Sequence, residues 1–152
     1  MCIKYIKSEV ISAFAGVKLE DGVGLWQAQA IDDYETQKNC LLARKRDITD
    51  DWQALSEEDI CHCNSSLSFF DARSMLFHVP AFIIAELDGK TDIGLVTSLT
   101  NTALAYPNLF SLFNNQQKSC VANFLEWCAM QSEYDFDKPT IKRALKEFWY
   151  ST

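Results

Sequence analysis

Helix breakers are scarce in this 152-residue chain, which holds five glycines and three prolines. So few turn-formers argue against a sandwich of many short strands and favour helices. No apolar run approaches the roughly 18 residues of a membrane-spanning helix; the nearest, residues 79–87, is far too short. Residues 1–16 have no apolar signal-peptide centre, because Lys4, Lys7, Ser8 and Glu9 interrupt their hydrophobic side chains. Without export, the expected location is the cytoplasm. In that reducing setting Cys2, Cys40, Cys61, Cys63, Cys120 and Cys128 stay free thiols. Also missing are a phosphate-binding glycine loop, a dinucleotide fingerprint, a glycine-rich elbow around any Ser or Cys, and a basic stripe for nucleic acid.

What the chain does have is apolar mass and one-sided charge. A hydrophobic content of 48%, with 12% aromatics, suits a packed globule and not a disordered chain. At this length one domain over residues 1–152 is expected, burying roughly 68–70% of the unfolded surface. Residues 20–59 carry eleven carboxylates and four bases (Lys38, Arg44, Lys45 and Arg46), so they hold the whole net charge of −7. A field of one sign acts on partners and association rates rather than on fold. It disfavours nucleic acid and anionic membranes, and it suits a basic protein surface.

Periodicity predicts an all-α fold of six or seven helices. Ile3, Ile6, Val10 and Phe14 mark a first helix that Gly16 can end. A long second helix over about residues 25–45 would turn Trp26, Ala30, Tyr34, Leu41 and Leu42 inward and Asp32, Asp33 and Glu35 outward. Ser56 can cap a short helix whose first turn is acidic, with Leu55 and Ile60 as its staple. Asp71 caps residues 72–78, and Pro80 should end, kink or restart that helix. Residues 81–85 are apolar all round and therefore central, with Phe77, Phe82 and Ile84 as core; Asp88-Gly89 stops the run. Residues 91–113 are ambiguous, since threonines and Gly94 dilute the pattern and Pro107 breaks it. Asn114 or Asn115 then caps a helix with Cys120, Val121, Phe124, Leu125 and Cys128 inward. A last helix starts near Pro139 with Ile141, Ala144, Leu145 and Phe148 inward; Trp149-Tyr150 at its end is expected partly exposed.

Cys61-His62-Cys63 is the most ligand-like triplet, but it is half of a zinc site. On a helix its two thiols diverge by about 200°. His62 and His78 are the only histidines, and no Cys–His nucleophile pair is marked. The adjacent carboxylates Asp32-Asp33 and Asp50-Asp51 diverge on a helix and make poor chelates, so they read as a solvated or docking face. No catalytic residue, metal or cofactor is expected.

The stretch Phe69-Phe70-Asp71-Ala72-Arg73-Ser74-Met75-Leu76-Phe77-His78-Val79-Pro80-Ala81-Phe82 resembles the central motif of the uncharacterised bacterial domain-of-unknown-function family 6714. Ile31-Asp32-Asp33-Tyr34 and Asp51-Trp52-Gln53-Ala54-Leu55 are similar to its other recurrent patches, and the likeness runs over roughly residues 1–130. Ser74 stands where the motif has a glycine, and Leu76 where it has an arginine, so no polar role of that arginine carries over. The resemblance implies a small, mostly helical cytosolic domain and no assigned activity.

Elimination and charge lead to a non-enzymatic, acidic binding protein of the immunity type. It would neutralise a basic toxin, such as a nuclease, through Asp32, Asp33, Glu35, Asp47, Asp50, Asp51, Glu57 and Glu58. The alternatives are a regulatory or housekeeping interaction module with no toxin partner, and an enzyme with an unrecognised site.

Overall fold

The shortage of helix breakers is matched by eight helices and no strand among residues 2–150, which the computed structural model describes. They are α1 (Ile3–Ala13), α2 (Leu25–Asp32), α3 (Gln37–Arg44), α4 (Glu57–His62), α5 (Ala72–Leu87), α6 (residues 95–105), α7 (Asn115–Ala129) and α8 (residues 138–149). Short 3-10 turns join several of them. The chain divides into two compact units, one of residues 16–95 and one of residues 2–15 and 96–150.

In the unit of residues 16–95, α5 is the buried centre. Asp71 caps it by accepting the Ser74 N–H at 2.9 Å. Met75, Phe77, Val79, Phe82, Ile83 and Ala85 are fully buried. Pro80 lies inside this helix, which runs on to Leu87 instead of ending at His78. The cost is one N–H bond to the Leu76 carbonyl; burial on all sides outweighs it. The helix ends where Gly89, at φ +94°, lets the Gly89 and Lys90 amides fold back onto the Glu86 and Ala85 carbonyls. Ile84 is half-buried, not core as expected.

The expected long helix over 25–45 is two helices. Tyr34 adopts φ +58°, and the Tyr34 and Glu35 amides bond back to the Ile31 and Ala30 carbonyls at 3.1 and 3.0 Å. That is a Schellman ending made with tyrosine in place of glycine. Thr36 then caps α3 by accepting the Asn39 N–H. The predicted inner side fails with it. Tyr34, Leu41 and Leu42 are 97%, 57% and 49% exposed, Trp26 and Ala30 are half-buried, and Leu25 and Ala28 are the residues α2 buries.

In the other unit the α7 stripe holds, whereas Ile3 of α1 is exposed and Phe148 of α8, expected inward, is half-buried. Asn114 caps α7 through the Gln117 N–H, and Cys120, Val121, Phe124, Leu125 and Cys128 are all buried. The ambiguous 91–113 segment, whose first residues to Leu95 belong to the unit of residues 16–95, resolves into a 3-10 turn at Thr91–Ile93, then α6, then a second turn at Pro107–Phe110. α6 and α8 each contain a widened π turn, Ser98–Thr102 and Leu145–Trp149. Trp149, expected partly exposed, is buried: its indole N–H donates to the Leu99 carbonyl at 2.7 Å, and its ring meets Phe110 edge-on at 5.3 Å. The accepting Leu99 carbonyl lies within the π turn of α6. Tyr150 is 55% exposed.

Because Phe82 has no exposed surface and meets Phe70 edge-on, Phe82→Ala should cost ~3–5 kcal/mol, the usual loss for a buried Phe. Denaturant unfolding measures it, and a midpoint unchanged from wild type contradicts the central placement of α5.

Candidate functional site

The acidic residues do not form one cluster of equivalent charges. Asp47 is turned inward. Its Oδ1 accepts the Trp26 N–H at 2.6 Å and its Oδ2 accepts the Gln27 N–H at 3.2 Å. These are among the first amides of α2, which have no partner within the helix. The helix begins at Gly24, which has no side chain to serve them, so Asp47 supplies the cap from another segment. Only glycine fits there, since a Cβ on Gly24 would overlap the Asp47 carboxylate. Burial pushes the Asp47 carboxyl above its ordinary range, against the lowering pull of the two amides and of Arg44 and Arg46. Asp47 therefore holds the fold together and is not a displayed charge.

The remaining seven are placed differently. Asp33, Glu35, Asp50, Asp51 and Glu58 are exposed, while Asp32 and Glu57 are half-buried. Asp33 accepts from the Gln29 amide and Glu35 from the Asn39 amide, each four residues away. Asp51 caps the turn Trp52–Ala54 through the Gln53 N–H. None of the five exposed carboxylates has a salt bridge to a cation among the described residues. Asp33 and Glu35 sit on the connection between α2 and α3 and line an open groove of about 400 Å³ with Trp26, Asn39, Arg46 and His62. There the Arg46 guanidinium lies 3.8 Å from the Trp26 ring centre, and the His62 ring is tilted against the same indole at 5.1 Å. This aromatic–cation stack was not foreseen. Its members are far apart in sequence, and the Asp47 cap, with the Arg44 bond to the Glu20 carbonyl, brings residues 44–47 back to the start of α2.

Loop contacts brace the same region. Arg73 donates to the Lys18 carbonyl at 2.8 Å and pairs with Glu20 at 3.4 Å, while Arg44 donates to the Glu20 carbonyl. Ser74, at the position where a glycine was expected, uses its hydroxyl to hold the Val23 carbonyl at 2.5 Å.

The ligand-like triplet does not assemble. Cys61 and His62 are exposed and Cys63 is buried, and among the described residues no group of three or more His, Cys, Asp or Glu is arranged to hold a metal. None of the six cysteines is in a disulfide. Burial, with Asp59 and Asp47 nearby, pushes the Cys63 thiol up to about 12, and burial pushes Cys120 to about 12. Such thiols are poor nucleophiles at neutral pH. His78 is fully buried, stacked on Phe70 at 4.3 Å and edge-on to Phe77 at 5.0 Å. Its Nδ1–H donates to the Ser74 carbonyl at 2.8 Å, and its Nε2 has no partner.

The fold and this surface define a helical protein that displays charge on short braced helices. The chain belongs to the family of unknown function DUF6714, whose model matches residues 3–152 and so extends through α8, past the motifs of residues 31–82. No curated protein and no solved structure matches it. Among the described residues no helix is long and apolar enough to cross a membrane.

Burial lowers the His78 pKa to about 4, more than the Ser74 carbonyl can offset. The unfolded chain takes up a proton near the ordinary value of about 6.5 while the folded chain does not. The His78 contribution is therefore complete above about pH 6.5 and is lost as pH falls toward 4. His78→Phe, which keeps a ring between Phe70 and Phe77, should flatten the decline in unfolding free energy over that window by up to about 3 kcal/mol. Denaturant titrations at pH 7, 6 and 5 measure this, and parallel curves for the two proteins contradict it.

Proposed function

We propose that this protein is a cytosolic, non-catalytic binding protein of the immunity type that neutralises a basic bacterial toxin by direct contact, a nuclease being the class its charge suits best. The observation that carries the reading is the set of exposed carboxylates Asp33, Glu35, Asp50, Asp51 and Glu58, which stand outside every salt bridge of the described residues. A carboxylate turned in to cap, as Asp47 is, is spent on the fold, whereas Asp51 caps the turn Trp52–Ala54 and stays exposed. Exposed ones instead attract an oppositely charged partner and raise its encounter rate. The side chains near Asp33 and Glu35 add aromatic surface at Trp26, a residue type enriched at binding hot spots. A basic enzyme whose active surface binds a polyanion offers the complementary field, and covering that surface blocks its substrate.

Asn or Gln at Asp33, Glu35, Asp50, Asp51 and Glu58 together should slow association with the partner recovered from the native host. It should leave folding within ~0.5 kcal/mol, the usual range for solvated positions. Wild-type association should slow as salt rises, since screening acts over about 10 Å at 0.1 M. Stopped-flow kinetics decide it: an unchanged rate for the neutralised protein, with no salt effect, leaves these carboxylates as a solubilising face and removes the support for the reading.

A further inference from the structure

α3 buries none of its side chains. An eight-residue helix is marginal alone, and helices in proteins draw most of their stability from a packed apolar face. Here that face is in water. Lys38, Leu41, Leu42 and Lys45 fall at i, i+3, i+4 and i+7, so they form one stripe along the helix. With Gln37 and Arg44 they form one open face, lined by residues of α3 and its C-terminal cap alone. The four bases of residues 20–59 all lie between positions 38 and 46, which makes this stripe a cationic, leucine-centred island inside an acidic region.

We propose that the α3 stripe docks an acidic amphipathic helix of a second protein. Two apolar side chains one turn apart on the incoming helix seat against Leu41 and Leu42, and carboxylates on either side of them meet Lys38 and Lys45. This is the pairing of two amphipathic helix faces, as in a coiled-coil zipper, with the anchors set by helical spacing and the register by the charged ends. Charge complementarity selects this occupant over two others. A second copy is disfavoured because laying α3 on itself sets cationic ends against cationic ends in either orientation. An anionic bilayer is disfavoured because Asp33 and Glu35 precede the helix directly and the chain carries −7 overall, whereas a discrete peptide needs only the local positive ends. The proposal stands apart from the basic-partner reading, since it uses other residues and the opposite charge.

The test uses the full chain and a fluorescein-labelled helical peptide with leucines at i and i+4 flanked by glutamates. Anisotropy should show saturable binding that weakens with salt. Leu41→Ser/Leu42→Ser and Lys38→Glu/Lys45→Glu should each weaken it by about tenfold or more, the scale of losing an interface anchor. Both substitutions fall at exposed positions and should leave the melting midpoint unchanged; if the serine pair lowers it, the glutamate pair alone carries the comparison. Four outcomes overturn the proposal. They are no saturable binding, equal binding of a peptide with lysines in place of the glutamates, binding of phosphatidylserine vesicles without binding of the peptide, and sedimentation as a dimer that the serine pair converts to monomer.

Discussion

The Asp47 carboxylate at the head of α2 is the interaction on which the surface of residues 16–95 depends. α2 starts at a glycine and has no side-chain cap of its own. Asp47, some twenty residues on, accepts two of its first amides. That return closes a loop that contains the whole of α3, whose own start is set by the Thr36 cap. The flanking arginines follow from it: Arg44 reaches the Glu20 carbonyl and Arg46 lies over Trp26. Leu19 joins the same brace through its amide to the Thr49 carbonyl at 2.8 Å. Burial opposes a charged Asp47, so the two amides must hold it in place against that penalty, and the fit leaves no room for a side chain at Gly24.

Some local signals are legible in the sequence, and the non-local contacts are not. The α7 stripe was legible because a capping asparagine and a helical period agree over 114–128. The stop at Gly89 was legible because glycine is the usual residue at positive φ. The stop at Tyr34 is the same device built with the wrong-looking residue, so the apolar period seemed to continue from Trp26 to Leu42 and those leucines were assigned to the core. Nothing local says that Asp47 caps a helix far upstream, or that the Trp149 indole has a carbonyl waiting in α6. Those contacts exist only after the chain has closed. Of the candidate site, the sequence told which residues are acidic; it could not tell that Asp47 is inside and Asp33 outside.

The functional account follows from that division. Of the eight acidic candidates, the fold turns Asp47 in to cap α2 and exposes five, and beside them α3 displays a stripe of the opposite sign with leucines at its centre. Charge of both signs on one short hairpin provides orientation as well as attraction, since like charges facing each other in a wrong pose are costly. Short helices held by caps and loop bonds, with little burial of their own, are also the elements that open most easily. The hairpin of α2 and α3 is thus held in shape chiefly by Asp47.

The most direct test of that claim is amide hydrogen exchange on Asp47→Ala. If Asp47 holds the hairpin, amides of α2 and α3 exchange much faster in the variant, while those of α5, whose side chains are buried on their own account, keep their protection. Unchanged protection in α2 and α3 would contradict the account, and so would an equal loss throughout residues 16–95.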